Sequence, residues 1–222
     1  MNREVADHTP SSRSRRQLLL AATAAAVVLG FFLLTPGQPI IQRLSKATAY
    51  AALLLLAAAI IVGPLRVLRG ESNPLSTYFR RDIGIVAGIL ALAHTIIGLQ
   101  VHLNGDLGQY FFYRSPTGLD GLRHDAFGVA NDVGLLATAI ILVLLIISNN
   151  LSIRALGAAR WKRIQRLNYI ASILIFIHGL LYQIMEKRAL AFVLCLVFVT
   201  VATAVLQLSG FKRSREQRQQ RD

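Results

Sequence analysis

Apolar residues in this chain come in long unbroken blocks, not in the spaced positions of an amphipathic surface helix. Six blocks are legible, at residues 18–34, 47–65, 83–103, 126–148, 167–185 and 189–208. Each approaches the roughly 20 apolar residues that an α-helix needs to cross a hydrocarbon layer about 30 Å thick. None alternates apolar and polar positions with the period of two expected of a membrane barrel strand. The pattern predicts an all-α integral membrane protein, a bundle of six transmembrane helices. A polar N-terminal tail at 1–16 and a basic cytoplasmic tail at 210–222 are expected to flank a transmembrane domain at 17–209.

Composition agrees. Of 222 residues, 54% are hydrophobic and 16% charged, with a mean hydropathy of +0.51. Six spans leave too few residues for a fused nucleotide-binding domain, which needs on the order of 100 more. The single cysteine, Cys195, excludes a disulfide framework, an iron–sulfur cluster and a covalently attached c-type haem.

The net charge of +13 would suggest nucleic acid on a soluble protein. Here the positive residues sit at the ends of apolar blocks and carry topology instead, and no nucleic-acid partner is expected. Of 24 Lys and Arg residues, 18 fall in the two tails and in the connections between blocks two and three and between blocks four and five. The other six are Arg43, Lys46, Arg114, Arg123, Lys187 and Arg188. The positive-inside rule then places both termini in the cytoplasm of a multi-pass inner (plasma) membrane protein. Ser14-Arg15-Arg16-Gln17-Leu18 resembles a twin-arginine export signal. No small-x-small cleavage pattern follows at Leu34-Thr35-Pro36, so this segment is expected to remain as the first helix.

Histidine inside an apolar span is costly and rare, which makes it a candidate for function. His94 lies 12 residues past Asp82, and His178 lies 13 residues past Gln165. Both helices run in the same direction, so each imidazole sits about 18–20 Å from the inner boundary. Two imidazoles at one depth on two helices are what a six-coordinate b-type haem requires. The alternatives are hydrogen-bonded core histidines and a proton relay. Neither helix carries a deep acidic residue to serve the relay.

His102 and His124 fall at the outer boundary. They are open to three roles: polar anchors, contacts to haem propionates, or ligands of a second outer haem or metal. Asp132, in the outer third of the fourth block, is read as structural, open to pairing with His124 or an outer arginine. Gly84 and Gly88 form a G-x-x-x-G pattern, read as close helix packing.

Four segments carry a family resemblance. They are Gly63-Pro64-Leu65-Arg66; Arg80-Arg81-Asp82-Ile83-Gly84 with His94 ten residues later; the Leu156–Leu167 run with Gly157 and Arg160-Trp161; and Tyr169 with Ile177-His178-Gly179. Over about residues 45–185 the chain resembles the ferric-reductase-like transmembrane domain. Within that family it is similar to the haem-binding membrane subunit of the periplasmic methionine sulfoxide reductase system. The resemblance implies a haem b held by His94 and His178 and electron transfer across the membrane. Relatives with a second, inner haem carry histidines where this chain has Arg80 or Arg81 and Gln165, so one haem is expected here.

The expected function is therefore electron transfer from a cytoplasmic or quinol donor to an acceptor on the outer face. The donor would be a quinol or a flavin reductase bringing FMN, since the chain has no NADPH or flavin domain of its own. The acceptor would be a periplasmic protein or a metal ion. The basic inner loops, with Arg80, Arg81, Arg160, Lys162 and Arg163, serve as topology anchors or receive an acidic donor or a flavin phosphate. The outer loop 104–125 is expected to cover the haem edge. The competing reading is a non-redox membrane transporter or assembly factor whose histidines only pack.

Overall fold

The computed structural model describes residues 10–70 and 78–219. The chain forms α1 (Pro10–Leu33), α2 (Ile40–Leu68), α3 (Tyr78–Gly98), α4 (Leu107–Phe111), β1 (Phe112–Ser115) and β2 (Gly118–Leu122). It continues with α5 (Ala126–Ile146), α6 (Asn150–Leu156), α7 (Ala158–Gln165), α8 (Leu167–Met185) and α9 (Leu190–Gln219). Six segments are long and apolar enough to cross a membrane: Ser14–Leu33, Ile40–Leu68, Phe79–Gly98, Ala126–Ile146, Ala158–Met185 and Leu190–Gln219. The chain is a multi-pass membrane protein.

Helices dominate because a backbone in hydrocarbon must satisfy its own hydrogen bonds within each segment. The observed boundaries differ from the apolar blocks where polar residues continue a helix. α2 begins at Ile40, ahead of the apolar block, and the charged heads of its first turns find acceptors within the protein: Arg43 donates to the Phe32 carbonyl and Lys46 to Gln38 Oε1 at 2.8 Å. α3 stops at Gly98, where the backbone pairing tightens to three-residue turns (Gln100 N–H to the Ile97 carbonyl, Val101 N–H to the Gly98 carbonyl), and Leu103 and Asn104 then take left-handed φ values of 54° and 52°. α9 runs on to Gln219, so most of the segment expected as a tail from residue 210 is helical. At the other end α1 begins at Pro10, and residues 1–9 lie outside the described residues.

α2 packs chiefly on α3, α5 on α8, and α9 on α2, while α1 lies against α2 and α3. Gly210 admits close approach, since a Cβ there would fall 2.7 Å from Pro64 Cβ. Gly88 packs on Leu145 in the same way, as the G-x-x-x-G pattern predicts. Gly84 has nothing within 4 Å of a built Cβ and instead lines an internal cavity. Arg16, from the twin-arginine-like segment, pairs with Asp82 of α3 at 2.7 Å. That aspartate side chain is 1% exposed.

The long connection after α3 is more structured than a covering loop. It forms α4 and an antiparallel hairpin that pairs Tyr113 with Asp120 and Arg114 with Leu119, with an irregularity at Phe112. Tyr110 of α4 is 1% exposed. Its hydroxyl accepts the His102 backbone N–H at 2.9 Å and lies 3.0 Å from the His102 carbonyl, fixing the hairpin over one end of the bundle. We call this the hairpin end, and the opposite one, which carries Arg80, Arg81 and Arg166, the basic end.

Candidate functional site

Between α2, α3, α5 and α8 lies a cavity of about 570 Å³, within the range of about 300–1,000 Å³ usual for small-molecule sites. His94 from α3 and His178 from α8 both line it. Their ring centroids are 6.2 Å apart, with planes inclined at 74°. The helical depth arithmetic thus predicts two rings that the tertiary structure does bring together.

Each ring is oriented by a backbone carbonyl of a neighbouring helix. His94 Nδ1 lies 3.0 Å from the Ser45 carbonyl oxygen, with Ser45 Oγ at 3.4 Å. His178 Nδ1 lies 2.8 Å from the Ala130 carbonyl oxygen. A carbonyl only accepts, so each Nδ1 carries the proton and each Nε2 keeps its lone pair. Such partners fix tautomer and orientation in metal-binding histidines.

The space around the rings comes from two glycines. A Cβ on Gly134 of α5 would stand 2.6 Å from His178 Nδ1. A Cβ on Gly98 would stand 3.7 Å from His94 Cε1. Sequence reasoning assigned no chemistry to Gly134 and did not single out Ser45 or Ala130, because nothing local marks a residue as the neighbour of a ring on another helix.

Among the described residues, no group of three or more His, Cys, Asp or Glu is placed to hold a metal ion. A metal at this site would therefore have to bring its other ligands with it. Two imidazoles bound through Nε2 on opposite sides of one metal, at about 2.0 Å each, have centroids about 6.3 Å apart. The observed separation of 6.2 Å matches, so the two imidazoles fit a metal that carries its remaining ligands with it.

The hairpin end of the cavity is polar. His102 lines it, and its Nε2 lies 3.1 Å from Glu186 Oε1. Arg188 Nε donates to Glu186 Oε2 at 2.8 Å, and Lys46 Nζ lies 3.9 Å away. Burial alone would raise the Glu186 pKa, but the hydrogen bonds from His102 and Arg188 and the charges of Arg188 and Lys46 outweigh it and hold it down to about 2. The His102 ring also packs against Phe127 and Tyr182, at centroid distances of 5.6 and 6.1 Å. Tyr182 sits 5.0 Å from the His178 ring and donates its hydroxyl proton to Asn131 Oδ1 at 2.8 Å.

The other outer histidine is elsewhere. His124 is exposed beside Tyr113 and is not among the residues lining the cavity. The structure thus separates the two histidines considered together as ligands of a second outer haem: His102 turns inward to Glu186, whereas His124 stays with the hairpin. Asp132 is exposed, and no ion pair to it forms among the described residues.

The basic end of the cavity is lined by Arg80, Arg81, Lys162, Gln165 and Arg166, with Trp161 beside them. Trp161 Nε1 donates to the Ile147 carbonyl at 2.9 Å, which fixes the indole.

Among curated proteins, none matches the chain significantly. One family does match, described as the ferric reductase like transmembrane component, over residues 47–176. That stretch is more than half of the chain; it carries most of α2, all of α3 and α5, and His94, and ends two residues before His178. The chain therefore belongs to the family of ferric-reductase-like transmembrane components.

Proposed function

We propose that this protein is a transmembrane electron-transfer subunit that holds one b-type haem between His94 and His178. The observation that carries the reading is the pair of imidazoles, each with its Nδ1 on a carbonyl, 6.2 Å apart in a ligand-sized cavity. When bound, the haem supplies a one-electron carrier; the chain's own part is to bind, orient and shield it. His94 and His178 would hold its iron through their Nε2 atoms. Lys46 and Arg188, at the polar end of the cavity, would offer cations to the porphyrin carboxylates, with His102 beside them. The hairpin, anchored by the buried Tyr110, lies over that end.

The excess of positive residues at the basic end supports a cytoplasmic location for both termini in a plasma-membrane protein. Electrons would then come from a quinol or a cytoplasmic flavin reductase and leave toward an outer-face acceptor. The similarity to the methionine sulfoxide reductase membrane subunit makes a periplasmic molybdoenzyme the first acceptor to test, with ferric or cupric ions as the other class.

The test is a reduced-minus-oxidised spectrum and a haem-to-chain ratio for the purified protein. We expect a Soret band with resolved α and β bands at one haem per chain, lost in His94→Ala and in His178→Ala. A colourless preparation from haem-replete cells would remove the reading and leave a non-redox membrane protein with packing histidines.

A further inference from the structure

α5 buries one side and leaves the other bare. Ala130, Ala137 and Ile141 are buried against the bundle. On the opposite side Val129, Asp132, Leu136, Ala139, Val143 and Ile146 are all exposed. At about 100° per residue these six fall in one stripe about 100° wide.

Five of the six suit hydrocarbon, and Asp132 does not. The 21 residues of α5 rise about 31 Å, which matches a hydrocarbon layer about 30 Å thick. Asp132 stands six residues past Ala126, about 9 Å along the axis from the hairpin end. Lys and Arg can reach the interface from such a depth on their long stems, but an aspartate side chain is too short. Among the described residues no hydrogen bond or ion pair reaches its carboxylate. Three cations of the hairpin end are held by other carboxylates: Arg114 by Asp106, Arg123 by Asp125 and Arg188 by Glu186. Acidic groups at membrane depth are costly and persist where a partner neutralises them.

The stripe also has the register of a helix seam. Its positions are separated by three and four residues in alternation from Val129 to Ile146. That spacing is the one by which two helices pack with a shallow left-handed crossing. Ala139, near its middle, lets a second backbone come close. A second copy seated here about a two-fold axis would oppose two Asp132 side chains at one depth, like charge to like. A helix with a cation at that depth completes a pair instead.

We propose that the outward face of α5 seats a transmembrane helix of a different membrane protein, and that a lysine or arginine of that helix pairs with Asp132. The seam faces away from the cavity, so this inference stands apart from the haem reading.

Trp161 is the chain's one tryptophan and donates to the carbonyl of Ile147, the residue that ends α5. It therefore serves as an energy-transfer donor for a helix lying along the seam. The probe is a synthetic, tryptophan-free, leucine-rich transmembrane peptide with one lysine about 9 Å inside the hydrocarbon. A dansyl group marks its end remote from the lysine. The full-length protein in phosphatidylcholine vesicles is titrated with this peptide, and native mass spectrometry gives the stoichiometry.

We expect saturable transfer at one peptide per chain. It should weaken about tenfold in Asp132→Leu and for peptides with leucine in place of lysine or with the lysine moved to mid-bilayer. In Asp132→Lys, a peptide with aspartate at the lysine position should bind and the lysine peptide should not. Asp132 is exposed and contacts no described side chain, so these variants leave the fold intact. Absent transfer, or equal transfer from lysine and leucine peptides, overturns the proposal. A dimer of the chain itself that is lost in Asp132→Leu also overturns it, because the seam then belongs to a second copy.

Discussion

Gly134 of α5 faces the His178 ring so closely that a Cβ there would stand 2.6 Å from Nδ1. The same nitrogen is tied to the Ala130 carbonyl one turn earlier on α5. The ring cannot retreat from a methyl group without losing that hydrogen bond and turning its Nε2. We therefore expect Gly134→Ala to lower haem occupancy sharply. Gly84→Ala, where a Cβ meets nothing within 4 Å, should retain haem and gain up to about 1 kcal/mol of helix stability. Pyridine haemochrome against protein concentration measures both. Full occupancy in Gly134→Ala would show that the seat of His178 is looser than its contacts imply.

The cations at the hairpin end should set the potential of the haem. Reduction adds a negative charge, and Lys46 and Arg188 stabilise it across a partly buried path. Lys46→Gln is expected to lower the midpoint potential by ~20–60 mV, where about 59 mV corresponds to a tenfold change for one electron. A redox titration followed in the α band decides this. An unchanged or raised potential would place the porphyrin carboxylates elsewhere.

Glu186 gives the fold a dependence on acid. Its pKa is held at about 2, below the ordinary 4.5. A lowered carboxylate pKa contributes stability that is fully present above 4.5 and is lost as pH falls from 4.5 through about 2. Thermal unfolding in detergent should therefore show a lower midpoint at pH 3 than at pH 6. Glu186→Gln should be less stable at pH 6 and lose less on acidification. Parallel acid curves for the two proteins would contradict the assignment.

Arg16 and Asp82 tie α1 to the bundle through a buried charge. The Asp82 side chain is 1% exposed, with Arg16 at 2.7 Å. Removing one partner leaves that charge uncompensated, at a cost of about 3–5 kcal/mol. Arg16→Ala should lower thermal stability more than the double variant Arg16→Ala/Asp82→Ala. Additive losses would mean that the two residues do not act as a pair.

The amino-acid sequence by itself determined the six spans, because the need to satisfy backbone groups inside hydrocarbon turns any apolar block of sufficient length into a helix. It also determined that His94 and His178 share a depth, since rise along a helix is fixed at about 1.5 Å per residue. Only the tertiary structure decided what lies beside each ring. The Ser45 and Ala130 carbonyls, the space left by Gly134, the turn of His102 toward Glu186 and the isolation of His124 all depend on how helices rotate and pack against one another. Nothing in a local pattern encodes that. The hairpin over the bundle escaped for a similar reason. Its short strands gain their stability from pairing with each other and from the buried Tyr110, not from any periodic signal of their own.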